Sequence, residues 1–418
     1  MKRDIHGYKK RLESAIRAIQ SSKEISERNR KMILDFLTRC QIDGLSIGRI
    51  ARYGYTMFKI AKWLGKDFDT ATREDIERVV GIIQSNSEFK DWTKHLYKVS
   101  IKKFYKVLNG GEEYPKEVKW IKCNFRNSDR ILPEDLLTHE EVKKMIETAE
   151  HPRDKAFIAA LYEGGFRIGE IASLRMKDIV VDEYGAQVIV DGKTGMRRVR
   201  LIASAPYLLV WLNMHPFKNN PEGSVWISIG TVHHGKEMAY QSLISVLKST
   251  ALRAGIKKKV NPQNWRRTRA THLAPHLKEM LLDQHFGWVL GSDMPRTYIH
   301  LSGREIDDSL LELNGMKKKE ENNQEALKPK VCEICHHVNE ATSSFCSKCA
   351  RPLDLKTMLQ LEEKRTKDET MIVKLFETPG MLEHFVSNAD EGNIRQLMET
   401  HPNLTARIST MIMKNLRR

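Results

Sequence analysis

A mainly helical fold with one small antiparallel sheet is what this 418-residue chain predicts, and three observations carry the prediction. Apolar residues recur at three- and four-residue spacing over most of the length, as in helices that bury one face. Two β-branched runs, residues 187–191 and 199–202, flank Gly192-Lys193-Thr194-Gly195, the pattern of a hairpin. Four of the six cysteines form C-x₂-C-x₁₀-C-x₂-C across residues 332–349, which reads as a small metal-held module.

Residues 1–110 read as helices. Ser46 can cap a helix that carries Ile50, Met57, Ile60 and Leu64 and stops at Gly65. Thr72 and Asp75 make a capping box ahead of Ile76, Val79 and Val80. A helix over 91–108 places Tyr97, Ile101, Phe104 and Leu108 on one face, with Lys94, Lys98, Lys102 and Lys106 in a row beside them. A solvated surface explains that row as readily as a phosphate-facing one. Residues 111–136 hold Gly111, Pro115 and Pro133 and read as a linker. The next domain, 137–316, opens on a second capping box, Thr138 with Glu141, and is helical apart from the hairpin. A charged linker, 317–330, precedes the cysteine module, 331–352, and Met-rich amphipathic helices fill 353–418, broken at Pro379-Gly380 and Pro402. Few contacts should cross the charged linker, so the cysteine module should unfold without the domain before it.

Composition narrows the function. With 40% hydrophobic and 30% charged residues the chain falls in the soluble globular class. Its longest strongly apolar run, residues 207–212, is far short of the ~18 a membrane span needs. The opening MKRDIHGYKKR lacks the apolar core of a secretion signal, so a cytoplasmic protein without a membrane partner is expected. Lys+Arg 70 against Asp+Glu 54 gives +16, which suits a polyanion, either nucleic acid or an anionic membrane surface. Residues 238–278 contain nine Lys and Arg and no Asp or Glu, and include Trp265, Arg266, Arg267 and Arg269. An ordered basic face of this kind favours nucleic acid.

Individual motifs are ambiguous. Gly192-Lys193-Thr194 resembles a phosphate loop, but position 187 is Gln where a Walker motif needs Gly, and strand pattern lies on both sides. No ATP is therefore expected. A lysine on a hairpin tip suits insertion into a nucleic-acid groove instead. Gly164-Gly165 lets the chain turn tightly before Arg167, and Glu170 can pair with that arginine one turn on, although such pairs are commonly surface ion pairs. Gln263 and Arg266 sit one turn apart and can both donate hydrogen bonds. Tyr298 alone would read as a structural tyrosine.

Taken in order, these pieces resemble the tyrosine recombinases, the phage-integrase and Xer family. Residues 161–171, Leu-Tyr-Glu-Gly-Gly-Phe-Arg-Ile-Gly-Glu-Ile, look like the first arginine box; Gly192 to Gly195 like the hairpin lysine; residues 262–273 like the second box; Phe286-Gly287-Trp288 and Thr297-Tyr298-Ile299-His300 like the last two. The resemblance is strong over 137–315 and weak over 25–108, and it implies a helical SAM-like core-binding domain followed by an α+β catalytic domain. Residues 298–308 and the cysteines beyond look most like archaeal integrases, which implies a virus or mobile element.

It also implies catalytic roles for Arg167, Lys193, Gln263, Arg266, Trp288 and Tyr298, support from Glu170, and DNA contacts from Lys94, Lys98, Lys102, Lys106 and Arg267. Tyr298 would attack the phosphodiester and store its energy in a phosphotyrosine, without ATP or a catalytic metal. Arg167 and Arg266 would clamp the phosphate oxygens. Lys193 would protonate the leaving oxygen, and Gln263 and Trp288 would add donors. Gln263 stands where the family usually has His, and it cannot carry a proton at neutral pH. The partners implied are double-stranded DNA and further copies of the chain, as a tetramer on DNA. Two alternatives stay open: a type IB topoisomerase, which reseals the original strand, and a DNA-binding regulator derived from a recombinase. Cys332, Cys335, Cys346 and Cys349 read as one structural Zn²⁺ site. The run Cys332 to His336 also matches a haem-attachment pattern, disfavoured by the second C-x-x-C, and a redox dithiol is the remaining reading.

Overall fold

The computed structural model describes residues 4–124, 132–192, 194–302, 310–311, 313–316 and 327–376, together with 378, 381 and 384. The N-terminal body is built from α1 (Tyr8–Ser21), α2 (Glu27–Ile42), α3 (Ile47–Leu64), α4 (Arg73–Ser85), α5 (Asp91–Leu108) and the short α6 (Lys116–Lys119). Local chemistry sets the helix ends. Thr72 and Asp75 form a reciprocal capping box on α4, and Gly65, at φ 71, ends α3 in the left-handed conformation that a side chain disfavours. Ser46 precedes α3 without a side-chain cap bond. Ile19, Ile33, Phe36, Met57, Phe68 and Phe104 interlock at the centre. Val118 and Ile121 join the same core, so its packing runs past position 110 into the segment that the glycines and prolines mark as linker.

The central body begins with α7 (His139–Thr148), capped by Thr138 and Glu141, then α8 (Pro152–Gly164) and α9 (Ile168–Ala172). A three-stranded antiparallel sheet follows, β1 (Ile179–Asp182), β2 (Gly185–Gly192) and β3 (Gly195–Leu201), in that order. Gly192 pairs with Gly195 as the last pair of the hairpin. Lys193 itself lies outside the described residues. The strand β1 was not expected, and it pairs Ile179 with Val188. Ala186, Val188, Val190, Val199 and Leu201 face a core that contains Trp211, Trp226 and Trp265. Helices α10 (Ala205–Met214), α11 (Tyr240–Arg253), α12 (Pro262–Leu273), α13 (Glu279–Phe286) and α14 (Met294–Ser302) complete the body.

The cysteine module, with β4 (Lys330–Val331) paired to β5 (Val338–Asn339), docks on this body. Tyr207 Oη on α10 accepts from the Thr342 backbone N–H at 3.1 Å and shares a 2.9 Å hydrogen bond with Thr342 Oγ1. Leu327, just before the module, lies in the central core. The module is thus in contact with the central body across the charged linker; composition reports a segment's solubility and says nothing of where its far end lands. Helix α15 (Leu355–Phe376) leaves Leu355, Met358, Leu359 and Met371 exposed. Among the described residues no helix is long and apolar enough to cross a membrane.

Candidate functional site

The site assembles where α8 gives way to α9. Gly165 adopts φ 53, and a Cβ there would sit 2.3 Å from the Phe286 ring; one on Gly164 would sit 2.2 Å from Phe166. Only glycine lets the chain turn this tightly against α13. The turn delivers Arg167 to the N-cap of α9, where its N–H donates to Glu170 Oε2 at 2.8 Å and its Nη1 to Oε1 at 2.9 Å. Arg167 also reaches across to the α13 terminus, donating to Phe286 O at 3.4 Å and Gly287 O at 3.1 Å.

Arg266 arrives from α12, one-twelfth exposed or less, and lies beside the stacked Phe286 and Trp288 rings, 5.1 Å from the Phe286 centroid and 5.6 Å from that of Trp288. It donates to Gly165 O at 2.8 Å and to Phe286 O. Both arginines therefore converge on the Phe286 carbonyl. Burial, then the neighbouring Arg167, push the Arg266 guanidinium down to about 9, with Glu170 opposing and Arg197 adding to the shift. It remains cationic at neutral pH, with N–H groups left over from its two carbonyl bonds.

Tyr298, on α14, stacks parallel to Trp288 at 5.3 Å and 1°. The ring is only 6% exposed, in a small core with Ala270, Leu273, Leu282 and Phe286. Burial raises its phenol above the ordinary value of 10.0, while the charges of Arg267 and Arg266 oppose the rise. The structure thus brings Arg167, Glu170, Arg266, Arg267, Trp288 and Tyr298 into one cluster. Gln263 stands apart in one respect: it is exposed in the first turn of α12, whereas Arg266 is buried.

The lysine row is not one open face. Lys98 is 8% exposed. Lys94 donates to Gln84 O at 2.8 Å and Lys102 to Ile121 O at 3.2 Å, while Lys106 lies 5.3 Å from the Tyr114 ring centroid. A four-residue spacing puts these lysines on one stripe of α5 but does not show that α4 and α6 pack along it.

Two residues escape sequence reasoning. Arg197, on β3, makes a two-pronged pair with Glu170, 2.8 Å on each prong, and its Nε donates to His285 O at 2.9 Å. His285 sits beneath the arginines. Burial, then the charges of Arg269, Arg197 and Arg266, press its imidazole down to about 4, with the nearby Glu163 backbone opposing. Its buried Nε2 finds no hydrogen-bond partner among the described residues. The signal for Arg197 is faint: one arginine among three on a strand whose partner lies 27 positions away.

The chemistry available here is oxyanion binding by clustered guanidiniums beside a phenol. Away from it, the Sγ atoms of Cys332, Cys335, Cys346 and Cys349 all lie within 4.8 Å of one another. The Cys332–Cys349 and Cys335–Cys346 separations are 3.6 and 3.5 Å, close to the about 3.8 Å edge of a tetrahedron with 2.3 Å metal–sulfur bonds. Each C-x-x-C loop has the same backbone: Cys332 O accepts from His336 N–H and Cys346 O from Ala350 N–H. His336 and Ala350 are left-handed at φ 54 and 57. Two equivalent loops facing each other fit one tetrahedral ion.

Residues 135–305 match the model of the phage integrase family. A tyrosine recombinase XerD from Oceanobacillus iheyensis is 26% identical over 295 residues, 66% of this chain and 95% of the relative. A tyrosine recombinase XerA from Pyrococcus horikoshii is 23% identical over 246 residues, 59% of this chain and 80% of the relative. Among solved structures, a lambda integrase tetramer bound to a Holliday junction shares the fold, with a TM-score of 0.50 at 14% identity, over 66% of this chain and 81% of that one. Residues 135–305 are thus similar to the phage integrase family and to tyrosine recombinases, and the lambda integrase shares the fold.

Proposed function

We propose that this chain is a site-specific DNA recombinase that cuts and rejoins duplex DNA through a 3′-phosphotyrosyl intermediate. The observation that carries the reading is the cluster itself: Tyr298 stacked on Trp288, with Arg266 beside the stacked Trp288 and Phe286 rings and joined to Arg167 through the Phe286 carbonyl. In this reading the Tyr298 hydroxyl gives up its proton to solvent as its oxygen attacks phosphorus, the bond to the 5′-oxygen breaks, and that oxygen leaves with a proton from Lys193. Arg167 and Arg266 hold the non-bridging oxygens with the N–H groups not committed to carbonyls. Losing one preorganised donor of this kind commonly costs roughly 10²–10³ in rate. Trp288 supplies an indole N–H, and exposed Gln263 is a secondary donor.

Because Tyr298 is packed away, DNA must draw α14 outward before attack. A resting nucleophile kept from water suits an enzyme whose intermediate must not be hydrolysed. The +16 charge and the DNA-bound state of the lambda integrase relative support duplex DNA as the partner, and its tetramer supports assembly of four copies. Arg267 is a DNA-facing candidate; the lysines of α5 are weaker ones, given their bonds within the protein. The four thiolates would hold one structural Zn²⁺, which ties the two loops together and does no chemistry at phosphorus. The cysteines and the Pyrococcus relative support an archaeal mobile element as the source.

The test is a nicked suicide duplex incubated with the protein in EDTA. A covalent protein–DNA adduct is expected, and it should vanish in Tyr298→Phe while DNA affinity persists. Cleavage that requires Mg²⁺, or an adduct undiminished in the variant, would overturn the reading.

A further inference from the structure

Glu170 has a problem that Arg197 solves. The carboxylate is buried, 4% exposed, and pairs with Arg167, the residue meant to hold a phosphate. A carboxylate bound to a single arginine cancels that arginine's charge and competes with any incoming anion. Here, each oxygen of Glu170 is shared. Oε1 accepts from Arg167 Nη1 and Arg197 Nη1, and Oε2 from the Arg167 backbone N–H and Arg197 Nη2. Arg197 is itself 8% exposed and holds the ideal two-pronged geometry, whereas Arg167 gives the carboxylate one side-chain N–H and remains one-third exposed.

The surrounding backbone is shaped around this pair. A Cβ on Gly192, at the turn end of the hairpin, would lie 2.6 Å from Glu170 Oε1, and one on Gly287 would lie 2.9 Å from Arg197 Nη1. Arg197 Nε also holds His285 O, in the last turn of α13. One side chain thus touches the first arginine box, the hairpin that carries position 193, and the turn that carries Trp288.

We propose that Arg197 is a positioning residue that neutralises Glu170 and so leaves the charge and the uncommitted N–H groups of Arg167 for the phosphate. The inference rests on the recombinase reading above. Glu170 orients Arg167 through the capping box, and Arg197 removes the electrostatic cost of that orientation. Without Arg197, the full negative charge of Glu170 would fall on Arg167.

Single-turnover cleavage of the suicide duplex at saturating DNA separates chemistry from binding. Arg197→Gln keeps a hydrogen-bond donor and drops the charge; it should slow cleavage about tenfold or more, with DNA affinity little changed. Arg197→Lys, which restores the charge without the fork, should stay within a few-fold of wild type. Adding Glu170→Gln to Arg197→Gln should recover much of the lost rate, because the competing charge is gone. A merely structural arginine predicts the reverse, with Lys as poor as Gln and the double variant worse than either. A wild-type rate in Arg197→Gln, a Lys variant as slow as the Gln variant, or no recovery in the double variant would overturn the inference while wild type still forms its adduct. No adduct in wild type would instead overturn the functional reading, and this inference with it.

Discussion

Acid should weaken the central body through His285, and the size of the effect follows from its surroundings. The imidazole is held down to about 4, against 6.5 for an ordinary histidine, by burial and by Arg269, Arg197 and Arg266. A lowered folded-state value means that the unfolded chain takes up the proton first. Stability from this residue is therefore complete above about pH 6.5, falls as the pH drops, and stops changing below about 4. Integrating between those limits gives a loss of about 2 kcal/mol at pH 5 and about 3 kcal/mol at pH 4. His6, His151 and His215 are also lowered, each first by burial, so the wild-type slope is a sum. His285→Leu isolates one contribution. Leucine fills a similar volume and removes the unpartnered Nε2. Urea titrations read by hydrogen exchange in peptides from residues 262–298 supply the assay. The variant should be within about 1–2 kcal/mol of wild type at pH 7.5 and gain about 2 kcal/mol on it by pH 5. Parallel stability curves for the two proteins from pH 7.5 to 5 would refute the reasoning.

Three further outcomes follow from the same contacts. Glu163 accepts from the backbone N–H groups of Ile202, Ala203 and Ser204 and from Ser204 Oγ, all between 2.6 and 2.9 Å; Glu163→Gln turns one acceptor into a donor facing donors and should cost about 2–4 kcal/mol in a denaturant titration. Tyr207→Phe should raise hydrogen exchange across residues 331–352 and in α10 together, since both lose the Thr342 contact; a change confined to one side would show that the docking carries no stability. Gln263→Ala should slow single-turnover cleavage less than Arg266→Ala does, because Gln263 is exposed and offers a neutral donor, and Gln263→His should cleave at least as well as wild type.

What the sequence discloses about this chain is what short-range chemistry writes. The Thr72–Asp75 and Thr138–Glu141 boxes, the stop at Gly65 and the hairpin at Gly192–Gly195 each depend on residues a few positions apart, and each is present. The pairing of Arg167 with Glu170 belongs to the same class. Long-range packing is what stays hidden. Nothing near Lys98 says that α5 is covered there, nothing near Thr342 points to Tyr207, and β1 is too short to outweigh the turn at Asp182–Gly185. Arg197 reads as one more basic residue because its meaning depends on strand register and on a carboxylate from another element. His285 reads as a surface histidine until the arginines of α12 and β3 close over it.

The central claim is that Tyr298 becomes covalently joined to DNA, and direct mapping of the adduct tests it most sharply. Wild-type protein trapped on a suicide duplex, digested with nuclease and protease, should give one peptide containing Tyr298 whose mass is increased by a 3′-linked nucleotide remnant, with fragmentation placing the addition on the tyrosine. The same remnant on another residue, or cleaved DNA with no modified peptide, would contradict the account.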